Sequence, residues 1–151
     1  GVPELRVLDA GGLNAMVAAA TARDAVVVVT SGLLAGLARV ELEAVLAEAL
    51  VRIRRLDVVP ATVCAAAMFG VGARWALPMR SDLDNDQAAV GLTRYPPGLV
   101  AALSRMEELG TAVGAVRRGH DLLWLADPRT GAEASSNHVP LPERIGALRD
   151  I

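Results

Sequence analysis

The sequence contains no lysine, since all fifteen basic residues among its 151 are arginines. Acidic residues number seventeen, and the formal net charge is −2. A nucleic-acid-binding surface usually shows a clear basic excess, so this balance argues against a nucleic-acid partner. Apolar residues make up 53% of the chain. This is too many for a disordered protein and enough for one domain with a buried core.

Cysteine and histidine are also scarce. The single cysteine, Cys64, excludes a disulfide within the chain, and the two histidines, His120 and His138, lie in different segments. These three side chains are the only sulfur or nitrogen candidates for a metal, and they do not have the spacing of a metal site. We therefore interpret Cys64 as a small buried residue and the histidines as exposed or cap-bonded residues.

Long apolar runs are missing as well. The longest uncharged stretch, 58–73, is interrupted by Pro60, Gly70 and Gly72, whereas a membrane-spanning helix needs roughly 20 apolar residues. We predict a buried core helix here rather than a membrane-inserted segment. The N-terminal residues also lack the basic and apolar regions of a signal peptide.

The pattern of apolar residues predicts an α+β fold. Strands are expected at 5–8, 15–21, 25–30 and 121–128, with 15–21 and 25–30 forming a hairpin. Helices are expected at 32–37, 39–56, 61–77, 80–93, 97–109 and 141–151, with Ser31 capping the first. We predict a single domain, 1–151, in which a small mixed sheet, made of the N-terminal hairpin and the late strand, packs on a helical subdomain.

The stretch ELEAVLAEALVRI, residues 41–53, is apolar on two sides. A helix of this kind is expected to lie between other elements in the interior. Its narrow polar strip, Glu41, Glu48, Arg52 and Arg55, then faces solvent or lines a cleft. Glu48 precedes Arg52 by four residues, which is the favourable order for an ion pair on a helix.

Four segments, in chain order, resemble the HtpX-like zinc metallopeptidases, which are relatives of the CAAX prenyl endopeptidases. Residues 14–34 are similar to the family's substrate-edge hairpin, and 41–53 to its metal-binding helix. Residues 81–103 resemble the segment that carries the third metal ligand in an E-x-x-A-D pattern. Residues 135–148 resemble the C-terminal T-H-P-P-x-x-E-R-I stretch, with His138 and Arg144 at family-motif positions.

The resemblance implies a gluzincin-peptidase-like fold and a zinc metalloendopeptidase activity in active relatives. It also implies membrane-tethered relatives whose catalytic domain lies at the cytoplasmic face. We therefore predict a cytoplasmic location, at that face of the membrane if the natural protein is anchored.

The chain departs from the family where the chemistry lies. The family motif H-E-x-x-H supplies two zinc ligands and a general base, and the corresponding residues here are Glu48, Ala49 and Arg52. Asp82 stands at the position of the ligand glutamate, and Asp86 keeps the family aspartate. Arginine has no lone pair to offer zinc, and alanine cannot accept a proton. The resemblance therefore predicts a degenerate site without catalytic residues, metal or cofactor.

A network of ion pairs is predicted to replace the metal. An arginine can donate two parallel hydrogen bonds to a carboxylate. We expect Arg52 to reach Asp82 or Asp86 across two helices and to neighbour Glu48.

We interpret the chain as a pseudopeptidase that binds a peptide or a protein, possible partners including a membrane protein. The predicted peptide-binding edge is Asn14, Ala15, Met16 and Val17, where an extended peptide would add as a strand. Two alternatives stay open. One is an active metallopeptidase with a non-standard site of Glu48, Asp82 and Asp86, and the other is a purely structural domain of a membrane assembly. The oligomeric state is not predicted.

Two sets of charged residues, one of arginines and one of aspartates, are interpreted as structural rather than as binding sites. The arginines at 52, 54, 55, 117 and 118 are expected to form solvated faces and internal ion pairs rather than a site for an anionic partner. Asp82, Asp84 and Asp86 alternate along a helix and do not converge on a cation. We interpret them as acids favoured at a helix N-terminus.

Overall fold

The sheet is built around the predicted N-terminal hairpin. The computed structural model describes residues 1–21, 23–66, 82–114, 116, 120–129 and 137–151. Strands β2 (Ala15–Ala18) and β3 (Val26–Thr30) pair antiparallel, and β1 (Glu4–Leu8) pairs with β3 in parallel. The strand order β1-β3-β2 makes the valine-rich β3 the central strand, as its β-branched residues predict. This small mixed sheet and the helices described below confirm the α+β prediction.

The third strand of the sheet is β1, and the prediction of a late strand at 121–128 is wrong. Asp121–Leu123 form a short 3-10 helix, and Met16 and Trp124 then form one isolated antiparallel bridge. The side chains of Arg52, Arg144 and Asn14 hydrogen-bond the carbonyl groups of this segment in place of a neighbouring strand.

The described helices follow the predicted order. They are α1 (Ser31–Gly36), α2 (Arg39–Arg55), α3 (Val58–Ala66), α4 (Asp82–Thr93), α5 (Pro96–Leu109) and α6 (Leu141–Arg149). Helix α3 begins three residues before its predicted start. Its predicted continuation over 67–77 lies outside the described residues, as do Arg117, Arg118 and the side chain of Cys64. Among the described residues, every helix is too short or too polar to cross a bilayer.

Thr30, and not Ser31, caps helix α1. The Thr30 hydroxyl accepts a hydrogen bond from the Leu33 N–H at 3.0 Å, which satisfies a free donor of the first turn. Ser31 is already helical. The next residue, Gly32, lies so close to the preceding loop that a Cβ there would be 2.1 Å from the carbonyl oxygen of Gly11.

Helix α2 lies in the interior, where it packs against α4, α5 and β2. Buried residues occur on both of its apolar sides, which confirms the predicted sandwich. The Glu41 side chain accepts a hydrogen bond from the Ala38 N–H at 2.7 Å and so fixes the start of the helix. At the other end, Leu56 adopts a left-handed conformation. Its side chain is exposed.

The apolar core lies between the sheet and α2, α5 and α6. Its members on the sheet are inward-facing residues of β2 and β3, such as Val17 and Val29, and α5 contributes Leu103 and Met106. Burial of these side chains is the main source of stability for the elements that position the polar cluster described next.

Candidate functional site

Four charged side chains meet where helices α2 and α4 pack together. Glu48 and Arg52 lie one turn apart on α2, and Asp82 and Asp86 lie one turn apart on α4. Their exposed fractions are 0%, 6%, 6% and 1%. The polar strip of α2 is therefore partly internal, because Arg55 is exposed and Glu41 half-buried while Glu48 and Arg52 are buried.

Arg52 joins the two helices. Its Nη2 lies 3.4 Å from Oδ1 of Asp82 and its Nε lies 3.3 Å from Oε1 of Glu48. This geometry confirms the ion-pair network predicted from the sequence, with Asp82 as the partner across the helices. Arg52 Nη1 also donates a hydrogen bond to the Trp124 carbonyl at 3.0 Å. The guanidinium thus fills the space between the two helices and the late segment.

Arg144 of α6 forms the tightest ion pair of the cluster. Its Nε and Nη2 donate to the two oxygens of Asp86 at 2.7 and 2.6 Å. Its Nη1 donates to the Leu125 carbonyl at 2.7 Å, and the residue is 1% exposed. The sequence marked Arg144 only as a family-motif position. Its spacing with the apolar Ile145 and Leu148 was the one signal that it lies on a buried face.

The side chain of His138 lies beside Asp82 and is only 5% exposed, so its interpretation as an exposed residue is wrong. Its Nδ1 lies 3.3 Å from Oδ2 of Asp82, and its Nε2 lies 2.8 Å from the Asp121 carbonyl oxygen. The same Asp82 oxygen accepts a hydrogen bond from the Val139 N–H at 3.0 Å.

Asp82 and Asp84 lie in the first turn of α4, as the interpretation of acids at a helix N-terminus predicts, but Asp86 lies beyond that turn. Asp82 and Asp86 point inward, while Asp84 is exposed. Their spacing of four residues places Asp82 and Asp86 on one helical face, and that face packs against α2 and α6.

A second polar group adjoins the cluster at the 3-10 helix. The side chain of Asp121 is fully buried, and its carboxylate accepts a hydrogen bond from the Asn137 amide. Arg129 Nη2 lies 3.3 Å from the other carboxylate oxygen. Sequence reasoning missed these three residues because they are distant in the chain and carry no recognisable spacing. His120 precedes the 3-10 helix and is only partly buried.

Glu48 has the most unusual environment in the cluster. Neither of its carboxylate oxygens has a hydrogen-bond partner among the described residues. Complete burial raises the pKa of Glu48 to about 7, although the charges of Arg52 and Arg144 oppose this shift. When Glu48 is protonated, the two positive charges of Arg52 and Arg144 are balanced by the two negative charges of Asp82 and Asp86. A neutral Glu48 therefore fits the charge of its surroundings.

The pKa of Asp82 shifts in the opposite direction. Burial alone would raise its pKa, but the hydrogen bond to His138 and the charges of Arg144, His138 and Arg52 lower the pKa to about 2. Asp82 is therefore ionised under ordinary conditions while Glu48 is largely protonated below pH 7.

The buried carboxyl group of Glu48 should make the protein less stable as the pH rises. Its pKa is about 7 in the folded protein against a model value of 4.5, so folding favours the protonated form. The stabilisation from the protonated form is complete below pH 4.5 and is lost as the pH rises through about 7. We expect a loss of about 3 kcal/mol in the free energy of unfolding. Urea denaturation at several pH values measures it.

The variant Glu48→Gln should remove this slope, because a neutral amide does not ionise. The exposed Glu43, on the same helix, provides the control, and Glu43→Gln should retain the slope. An equal pH dependence in wild type and Glu48→Gln would mean that Glu48 is not the titrating group.

The predicted peptide-binding edge is already in contact with the chain's own late segment. The Ala15 carbonyl accepts a hydrogen bond from the Leu125 N–H at 2.9 Å. The Asn14 side-chain amide donates to the Ala126 carbonyl at 3.0 Å. Asn14, Ala15 and Val17 are fully buried, and Met16 forms the isolated bridge to Trp124. An added peptide strand would therefore have to displace residues 124–126.

The donor set does not fit a zinc site. Arg52 places a cation between Glu48 and Asp82, and the carboxylate of Asp82 is already bonded to Arg52, His138 and the backbone of Val139. Across the described ranges, no three His, Cys, Asp or Glu side chains are arranged to hold a metal ion.

Comparison with known proteins identifies several HtpX proteases that are similar to this chain. A protease HtpX homolog from Dictyoglomus thermophilum is 28% identical over 194 aligned positions, which cover 97% of this chain and 63% of the relative. A homolog from Streptococcus uberis is 24% identical, with 99% of this chain and 68% of the relative covered. Protease HtpX from Tolumonas auensis is 26% identical, with coverage of 100% and 67%.

No family model matches the chain, and no solved structure matches it significantly. The chain spans less than two thirds of the length of the Dictyoglomus relatives. The matches nevertheless extend over nearly all of its own residues, as the four resembling segments predict. The chain is HtpX-like, since it is similar over almost its entire length to the HtpX proteases.

Proposed function

We propose that this chain is a pseudopeptidase, in which an ion-pair cluster stands where active relatives hold zinc. The observation that carries the proposal is the position of Arg52. Its guanidinium lies between Glu48 and Asp82 and donates to the late segment. A fixed cation at this point repels a divalent metal, and the carboxylate of Asp82 is already engaged by Arg52, His138 and the Val139 N–H.

The proposal also rests on the absence of a general base. Ala49 stands at the position of the catalytic glutamate, and its side chain cannot take a proton from water. The alternative of a non-standard active site at Glu48, Asp82 and Asp86 is disfavoured by burial and pairing. Glu48 is inaccessible to solvent, and Asp86 is held in two hydrogen bonds by Arg144.

Purified protein should therefore contain no stoichiometric zinc and should not cleave casein. Elemental analysis after growth in zinc-supplemented medium measures the first, and release of labelled fragments with and without a chelator measures the second. The HtpX homolog from Streptococcus uberis, prepared in the same way, is the matched control. Zinc near one per chain together with chelator-sensitive cleavage would overturn the pseudopeptidase proposal.

The proposed role is binding rather than hydrolysis. Peptide addition along Asn14–Val17 remains our prediction for a peptide partner, with the condition that residues 124–126 leave the edge first. The occupied edge supports the alternative of a structural domain, because a binding groove that is filled by its own chain offers little to a ligand. A binding assay with a library of extended peptides distinguishes the two. Binding supports the peptide-binding role, and no binding supports the structural domain.

We further propose a cytoplasmic location, at the face of the membrane if the natural protein is anchored. The resemblance to a family with membrane-tethered members supports this location. Expression of the natural gene product with a fluorescent tag, followed by membrane fractionation, tests it.

A further inference from the structure

Strand β1 (Glu4–Leu8) is exposed over its whole length, although it belongs to the sheet. All five residues are exposed, and the apolar Leu5 and Val7 have exposed fractions of 59% and 60%. In the described chain, β3 pairs with one side of β1 and no strand pairs with the other. An exposed strand edge of this kind is a template for pairing with another strand.

The direction of the backbone groups follows from the pairing with β3. The Glu4 N–H donates to the Ala25 carbonyl at 2.9 Å, so Glu4 directs its peptide groups towards β3. Successive residues alternate in this respect. The N–H and C=O groups of Leu5 and Val7 therefore point outward and are available to a further strand.

The sequence of β1 suits a second copy of itself. Two copies that pair antiparallel about a two-fold axis can be centred on Leu5, Arg6 or Val7. Centring on Arg6 places two arginines opposite each other, and centring on Val7 places Arg6 opposite Leu8. Centring on Leu5 places Glu4 of each copy opposite Arg6 of the other. Like charges that face each other are destabilising and opposite charges are stabilising, so the Leu5 register is favoured.

The same register satisfies the free backbone groups. Leu5 would exchange two hydrogen bonds with Leu5 of the second copy, and each Val7 N–H would donate to the Pro3 carbonyl of the other. Glu4 and Arg6 would then be a closely spaced, non-hydrogen-bonded pair, which brings their side chains together. Within one copy these two side chains already lie on the same face, with Arg6 Nε 2.7 Å from Glu4 Oε1.

We propose that β1 is a self-association edge, through which two copies of this chain form an antiparallel dimer in the register centred on Leu5. Charge complementarity of Glu4 and Arg6 selects a second copy as the occupant, and the exposed Leu5 and Val7 supply apolar contact. The area is small for a permanent interface, so we expect a reversible dimer with a Kd on the order of 10–100 μM. The proposal does not depend on whether the chain binds zinc.

Charge reversal provides the test, performed on the natural full-length protein by sedimentation velocity at increasing concentration. Glu4→Arg places arginine opposite arginine in both halves of the dimer, and Arg6→Glu places glutamate opposite glutamate. Each single variant should raise the Kd by about tenfold or more. The two variants mixed in equal amounts should associate again, because every facing pair then has opposite charges. The double variant Glu4→Arg/Arg6→Glu should also dimerise.

A second variant separates strand pairing from simple apolar contact. Val7→Pro removes an outward-pointing N–H, which an edge strand tolerates, and should weaken the dimer while far-UV circular dichroism stays unchanged. A wild-type protein that remains monomeric up to about ten times the expected Kd overturns the proposal, as does a mixture of the two single variants that fails to associate. Single charge variants that dimerise as well as wild type would place the interface elsewhere.

Discussion

The variant Arg144→Ala should lose about 3–5 kcal/mol of stability, because it leaves the buried carboxylate of Asp86 without its hydrogen-bonded cation. It also removes the donor to the Leu125 carbonyl. For a domain of this size we expect the Tm to fall by about 10 °C. The matched variant Arg52→Ala should cost less, about 3 kcal/mol, because Asp82 keeps its bonds to His138 and Val139 and Glu48 can stay protonated. Urea denaturation at pH 7 compares the two.

Two controls identify the cause of this loss. Arg144→Lys retains the charge but cannot form the forked pair with Asp86, so its stability should lie between those of wild type and Arg144→Ala. The double variant Asp86→Leu/Arg144→Met removes both charges and keeps most of the volume, and it should recover much of the lost stability. A cost below about 1 kcal/mol for Arg144→Ala would mean that the pair behaves as if it were exposed to solvent.

Restoring the family motif should convert this chain into a zinc-binding protein. The four changes are Glu48→His, Ala49→Glu, Arg52→His and Asp82→Glu. They place two histidines one turn apart on α2, facing a carboxylate on α4, which is the ligand set that zinc prefers. We expect a Kd for zinc of about 1 μM or lower, against no measurable binding in wild type. Isothermal titration calorimetry on the metal-free proteins measures the difference.

The structure makes this experiment tractable, since the changes leave the Arg144–Asp86 pair untouched. The matched control carries the same changes except that Arg52 is retained, and it should not bind zinc because the cation remains in the site. A four-site variant that folds and still ignores zinc would show that α2 and α4 do not correspond to the metal-binding helices of the HtpX proteases.

Periodicity and local chemistry were sufficient to predict the helices and the hairpin. Helix α2 was predicted to within a residue because its two apolar sides and its order of charges repeat at helical spacing. The pairing of Arg52 with an aspartate of α4, Asp82 or Asp86, was also predicted, because the family resemblance aligns these residues with neighbouring positions of a metal site.

The remainder of the cluster depends on contacts between distant parts of the chain. Nothing near His138 indicates that it lies against Asp82, which is 56 residues away. The segment 121–128 has the composition of a strand, yet the donors of Arg52, Arg144 and Asn14 bond its carbonyls. Local patterns do not report such side-chain contacts, so a strand was the natural prediction.

Arg144 follows its partner Asp86 by 58 residues in the chain, which has a consequence for synthesis. Chains fold from the N-terminus as they emerge from the ribosome, so α2 and α4 are made well before the arginine that neutralises Asp86. Until α6 has been made, packing α4 against α2 would bury the carboxylate of Asp86 without its cation. We therefore expect α2 and α4 to pack stably only after α6 has docked, and a variant truncated before α6 should be a substrate for chaperones and proteases.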